Sequence, residues 1–123
     1  MSLGTIALAG SQALLGLVGV AVGGAKVTHQ EDQVEDFQRF GYPQWFRILT
    51  GLIEIGAGLA LLAGLVWLSE FTVAGGILLS SVMVGAVATH IRTGDPLSKT
   101  TVPAVLFAFT AGLLIIRDVT IPL

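Results

Sequence analysis

Leu3 to Ala25 runs 23 residues without a charge, and about 20 apolar residues suffice to cross about 30 Å of hydrocarbon. The pattern recurs along the chain. Trp45 to Leu68 is 24 residues charged only at Arg47, near its start, and at Glu54. Phe71 to Thr89 is 19 residues without a charge, and Thr100 to Ile116 gives 17 more, extensible toward Ile121. The alternation of barrel strands is missing, and glycine is frequent in membrane helices. The sequence therefore predicts an all-α bundle of four transmembrane helices, one membrane domain over residues 1–123.

Composition excludes the main alternatives. Hydrophobic residues make up 54% of the 123 positions and charged residues 11%, against roughly 25% charged in an ordinary soluble domain. Such a chain has too few charges for a soluble enzyme's surface. A net charge of −2 lacks the basic footprint of a nucleic-acid binder, so the expected partner is the lipid bilayer and not nucleic acid. Cysteine is absent, which removes disulfides, thiolate metal sites and dithiol redox centres. Leu3–Ala25 reads as a span and not as a signal peptide. No basic residue precedes it, and it exceeds the usual apolar core of about 7–15 residues.

Four spans put both termini and the Ser69-Glu70 turn on one face, and the long loop 26–44 and the loop 90–99 on the other. Lys26, Arg39, Arg47, Arg92 and Lys99 belong to the loop face, and Arg117 to the terminal face. The positive-inside rule then makes the loop face cytoplasmic, in what is expected to be a prokaryotic plasma membrane. Trp67 fits an aromatic belt on the terminal face, and Tyr42 and Trp45 fit one on the loop face. Within the long loop, Val34, Phe37 and Phe40 recur every three residues between Glu31, Asp32, Glu35, Asp36 and Arg39. That spacing suggests a short amphipathic helix between the first two spans; a solvated acidic loop is the alternative.

Close helix contact in lipid depends on small residues. The candidate seams are Gly16, Gly19 and Gly23 on the first span and Gly51 and Gly58 on the second. On the third they are Ser81, Gly85 and Thr89, and on the fourth Ala104, Ala108 and Gly112. Any seam left over offers a surface for a homo-oligomer or another membrane protein. Asp95 is the expected N-cap of the last helix, which would place Pro103 inside it.

Glu54 is the unusual residue. It lies nine residues past Trp45, about 13 Å along a helix, and about 20 Å before Trp67. Gly51, Glu54 and Gly58 share a face, so the carboxylate points along the packing seam. An ionised group at such depth costs at least a few kcal/mol unless paired or wet. Lys26 and His90 close their spans on the same half, with His29, Arg92 and Asp95 just beyond, and Ser80, Ser81 and Thr89 are candidate hydrogen-bond donors. One reading is a polar pocket flanked by Glu54 and His90 and open to the loop face. The other is a structural carboxylate with no ligand. No HxxxH or HExxH spacing joins the nominal metal ligands, no serine carries a nucleophile signature, and no glycine run ends as a P-loop does.

Gly24-Ala25-Lys26, Phe40-Gly41-Tyr42-Pro43, Gly51-Leu52-Ile53-Glu54-Ile55-Gly56 and Ala88-Thr89-His90-Ile91-Arg92-Thr93-Gly94-Asp95-Pro96, in this order, resemble the DoxX-like membrane proteins over essentially the whole chain. The Glu54 segment and Gly94-Asp95-Pro96-Leu97 also resemble the animal members that act as assembly chaperones for nicotinic acetylcholine receptors. The resemblance implies a four-helix membrane protein with Lys26, Glu54, His90, Arg92 and Asp95 as its motif positions. Founding relatives are associated with a thiosulfate:quinone oxidoreductase complex, but the missing cysteines argue against sulfur chemistry on this chain. Two functions follow. The first is a non-catalytic membrane subunit or assembly factor with a polar pocket around Glu54 and no cofactor. The second is a small redox or transport protein that binds a quinone or similar amphiphile, with Glu54 or His90 handling a proton. Any redox role would belong to a subunit of a larger complex.

Overall fold

The computed structural model describes residues 2–120, with side chains through Arg117. Five helices follow in order: α1 (Leu3–Val27), α2 (Glu31–Phe40), α3 (Gln44–Val66), α4 (Glu70–Thr93) and α5 (Leu97–Thr120). Four of them are long and apolar enough to cross a membrane: α1, α3, α4 and, over Leu97–Arg117, α5. These coincide with the four charge-poor runs. The possible extension to Ile121 lies outside the described residues.

The spans form an ordered series. α3 packs against α1 on one side and α4 on the other, α4 carries α5, and α1 and α5 meet only slightly. The core consists of Leu15, Ala57, Leu61, Leu79, Met83 and Leu113. Many other large apolar side chains point outward, as a chain immersed in lipid requires. Trp45 is 65% exposed and Trp67 73%, at opposite ends of α3.

Glycine sets the α1–α3 distance. A β-carbon on Gly58 would lie 2.5 Å from the Gly16 carbonyl oxygen, and one on Gly51 2.7 Å from that of Gly23. The backbones therefore touch, as small residues permit. The seams expected on the last two spans do not form. A β-carbon on Gly85 or Gly112 would meet nothing within 4 Å, and Ser81 is exposed with its hydroxyl bonded to the Ile77 carbonyl. α4 instead turns its N-terminal half inward, with Gly75 against the Ala57 carbonyl and Gly76 against Leu114.

The amphipathic segment is a helix. Phe37 and Phe40 of α2 are buried while its acidic residues mostly face out. Gly41 ends it at φ +82°, with the Tyr42 N–H bonded to the Phe37 carbonyl. Gly94 ends α4 the same way at φ +76°, with the Asp95 N–H bonded to the His90 carbonyl. Both are Schellman closures, in which a left-handed residue without a β-carbon satisfies orphan carbonyls. Asp95 does not cap α5. Its carboxylate is occupied by Arg39 and His90, and the Lys99 N–H bonds to the Pro96 carbonyl instead. Pro103 does lie inside α5.

Candidate functional site: a polar cavity at the loop face

The loop-face half of the bundle holds a half-open cavity of about 1140 Å³, lined in part by α2. Lys26, Glu54, His90 and Arg92 all line it. Its apolar wall includes Val22, Met83 and Leu106.

Lys26 and Glu54 meet across the α1–α3 seam. The Lys26 Nζ stands 2.9 Å from Glu54 Oε1, with the side chains 15% and 2% exposed. No other side chain among the hydrogen bonds and ion pairs of the described residues reaches the carboxylate. Neither Ser81 nor Thr89 serves it: Ser81 bonds within its own helix, and Thr89 pairs with the Tyr42 hydroxyl at 3.0 Å.

A second cluster fastens α2 over the cavity. Arg39 donates from Nε and Nη2 to the two Asp95 oxygens, each at 2.9 Å, and from Nη1 to Asp36 at 2.8 Å. Lys99 reaches Asp36 at 3.1 Å. His90 Nδ1 lies 2.6 Å from Asp95 Oδ2. Since the carboxylate accepts, this nitrogen carries the proton. Arg92 donates to the Phe40 carbonyl at the end of α2, and its guanidinium stands 5.2 Å from the centre of the Tyr42 ring. Thr89 and Arg92 together lower the Tyr42 phenol pKa. Tyr42 is thus drawn into the cluster at the loop-face end of the bundle.

Hydrogen bonds from Arg39, and then from His90, hold the Asp95 carboxyl at a pKa of about 2, below its ordinary 3.8. A depressed folded-state value contributes stability above pH 3.8 and loses it as pH falls through about 2. Acidification across that window is expected to release α2, seen as faster amide exchange over residues 31–40. Asp95→Asn is expected to show the faster exchange already at neutral pH; unchanged protection in that variant would contradict the latch.

The structure also reveals residues that were not singled out in the sequence. Arg47, read as a loop-face charge at the start of its span, is 2% exposed. It donates to the Lys26 carbonyl, to Gln44 Oε1 and to His29 Nδ1. The Lys26 carbonyl is one of the orphans at the α1 C-terminus, where a cation also faces the favourable end of the helix dipole. That accounts for a buried guanidinium with no carboxylate partner. At the other end of the bundle, Gln12 donates to the Leu61 carbonyl and to Thr72, each at 2.7 Å, and accepts from Arg117 at 3.1 Å. A lone amide in a 23-residue apolar run was the available signal. Among the described residues, no three of His, Asp and Glu converge on a metal-holding group.

A protein-family model, described as the DoxX-like family, matches residues 10–113. An uncharacterized protein of Bacillus subtilis (strain 168), YdgD, is 36% identical over 72 residues, which is 58% of this chain and 62% of the relative. The match thus spans less than two thirds of that relative's length. No solved structure matches. Four membrane-length helices and a family match over most of the sequence agree: the chain is a multi-pass membrane protein belonging to the DoxX-like family.

Proposed function

We propose that this protein is a non-catalytic membrane subunit or assembly factor whose loop-face cavity takes the polar end of an amphipathic molecule. The observation that carries the reading is the Lys26–Glu54 pair, buried against the wall of a large cavity with apolar sides. Small-molecule sites combine mostly apolar walls with a few convergent polar groups, in volumes of about 300–1,000 Å³. Purification in mild detergent followed by mass spectrometry of the extract tests it. The expected result is one amphiphile in a fixed ratio to protein, lost in Glu54→Gln. Only bulk lipid, in wild type and variant alike, would contradict the proposal. A stoichiometric quinone would favour a redox subunit, with His90, whose ring lines the cavity and is held by Asp95, as the proton-handling residue beside Glu54.

The loop face is proposed to be cytoplasmic, on the support of Lys26, Arg39, Arg47, Arg92 and Lys99. Alkaline phosphatase fused after Arg117 is then expected to be active, and the same enzyme inserted at Gly94 inactive. The opposite pattern would reverse the orientation.

A further inference from the structure

We infer that the cavity selects an uncharged amphiphile whose head carries a hydroxyl beside a second oxygen, and discriminates against ionised headgroups. The inference deepens the cavity reading above and rests on it.

Two observations carry it. The first is the balance of charge around the space. Lys26, Arg39, Arg92 and Lys99 line it, and so do Asp32, Glu35, Asp36 and Glu54. These four cations and four anions cancel. The cations are also already engaged: Lys26 by Glu54, Arg39 by Asp36 and Asp95, Lys99 by Asp36, and Arg92 by a backbone carbonyl and the Tyr42 ring. An ionised headgroup seated at depth would have to break the Lys26–Glu54 pair, 15% and 2% exposed, and leave one of its charges buried and unpaired, which is heavily penalised. A neutral headgroup breaks none.

The second observation is the unused bonding capacity at depth. The Glu54 side chain is 2% exposed, and its partner among the described residues is the Lys26 ammonium, 2.9 Å from Oε1. An ionised carboxylate offers about four acceptor sites and an ammonium three donors. The Lys26–Glu54 contact uses only part of this capacity, and buried polar groups are ordinarily hydrogen-bonded. A hydroxyl donating to Glu54, with a neighbouring ester, keto or hydroxyl oxygen accepting from Lys26, would satisfy both members without disturbing their charge. The tail would then lie against Val22, Met83 and Leu106. Two sources share this chemistry, acylglycerols and alkylated catechols.

Binding to the full chain, stripped of lipid in a non-ionic detergent, tests the assignment by intact-complex mass spectrometry. Four probes of equal chain length are compared: a monoacylglycerol, an alkyl catechol, a fatty acid at pH 8 and an alkyltrimethylammonium. One neutral probe is expected to bind one per chain, at least tenfold tighter than either charged probe. Which neutral probe binds identifies the source. Glu54→Gln is expected to weaken that probe at least tenfold while Gly56→Ala, remote from any neighbour, leaves it unchanged. Equal or tighter binding of a charged probe would overturn the selectivity and leave the cavity reading standing. Binding of none would overturn both. The wild-type panel decides the matter even where Glu54→Gln fails to fold.

Discussion

Lys26→Met is expected to destabilise the fold by about 3–5 kcal/mol, the range found when one member of a buried ion pair is removed. Glu54 then keeps its place between α1 and α3 with its cation gone. The reverse change should be milder. In Glu54→Leu the lysine is left over, and at 15% exposure against 2% it has a flexible stem that can carry the ammonium toward the loop face. In the double variant Lys26→Met/Glu54→Leu both charges are absent, and stability should return to near wild type, since apolar replacement of a buried pair is often neutral or stabilising. Thermal unfolding in detergent, followed by circular dichroism, checks all three. Equal losses in the two single variants would mean that the lysine is as firmly buried as the carboxylate, contrary to the geometry.

Gly58→Ala is expected to cost about 1–3 kcal/mol, at the upper end of that range. The added carbon would stand 2.5 Å from the Gly16 carbonyl oxygen and 2.8 Å from the Val20 nitrogen. Both are backbone atoms and cannot rotate aside, so α1 and α3 must part along the seam. Gly56→Ala, two residues away on the same helix, meets nothing within 4 Å. There alanine's lower conformational entropy in the unfolded chain predicts a gain of about 0.5–1 kcal/mol. Opposite signs at neighbouring glycines would be hard to produce by any general effect of composition. A loss at Gly56 equal to that at Gly58 would remove the seam as the explanation.

The spans were legible because each is a long apolar run, and hydrocarbon thickness dictates its length. Glu54 was legible for the same reason, as a charge where charge is costly. The glycine seam was read correctly where spacing-four and spacing-seven glycines also face a neighbouring helix. It was misread on α4 and α5, because the same spacing on an outward face looks identical in sequence. The fastening of α2 was not legible at all. Arg39 and Asp95 are 56 positions apart, and their meeting depends on where two Schellman turns direct the chain. Asp95 before a proline resembled a helix cap. A carboxylate facing a guanidinium fork has the stronger partner, since charge-assisted bidentate pairs exceed single bonds to neutral N–H groups. Arg47 stood close enough to a span's end to pass for an interfacial charge, and only the position of the α1 terminus revealed what it holds.

Trp45, in the first turn of α3, and Trp67, which ends it, are 22 residues apart, about 33 Å along a helix at 1.5 Å per residue. Anchored rings prefer the two interfaces, so α3 is a gauge whose length is close to the hydrocarbon thickness of an ordinary bilayer. A thinner membrane must be met by leaning α3 over. Because α1 is locked to it through backbone contacts at Gly16, Gly23, Gly51 and Gly58, both helices would lean as one body. α5 meets α1 only slightly, with Arg117 bonded to Gln12 at the terminal end, so it is free to lag only at the loop-face end. Hydrophobic mismatch would then be taken up between α1 and α5, beside the Lys26–Glu54 pair, so the thickness of the surrounding membrane bears directly on the width of the cavity.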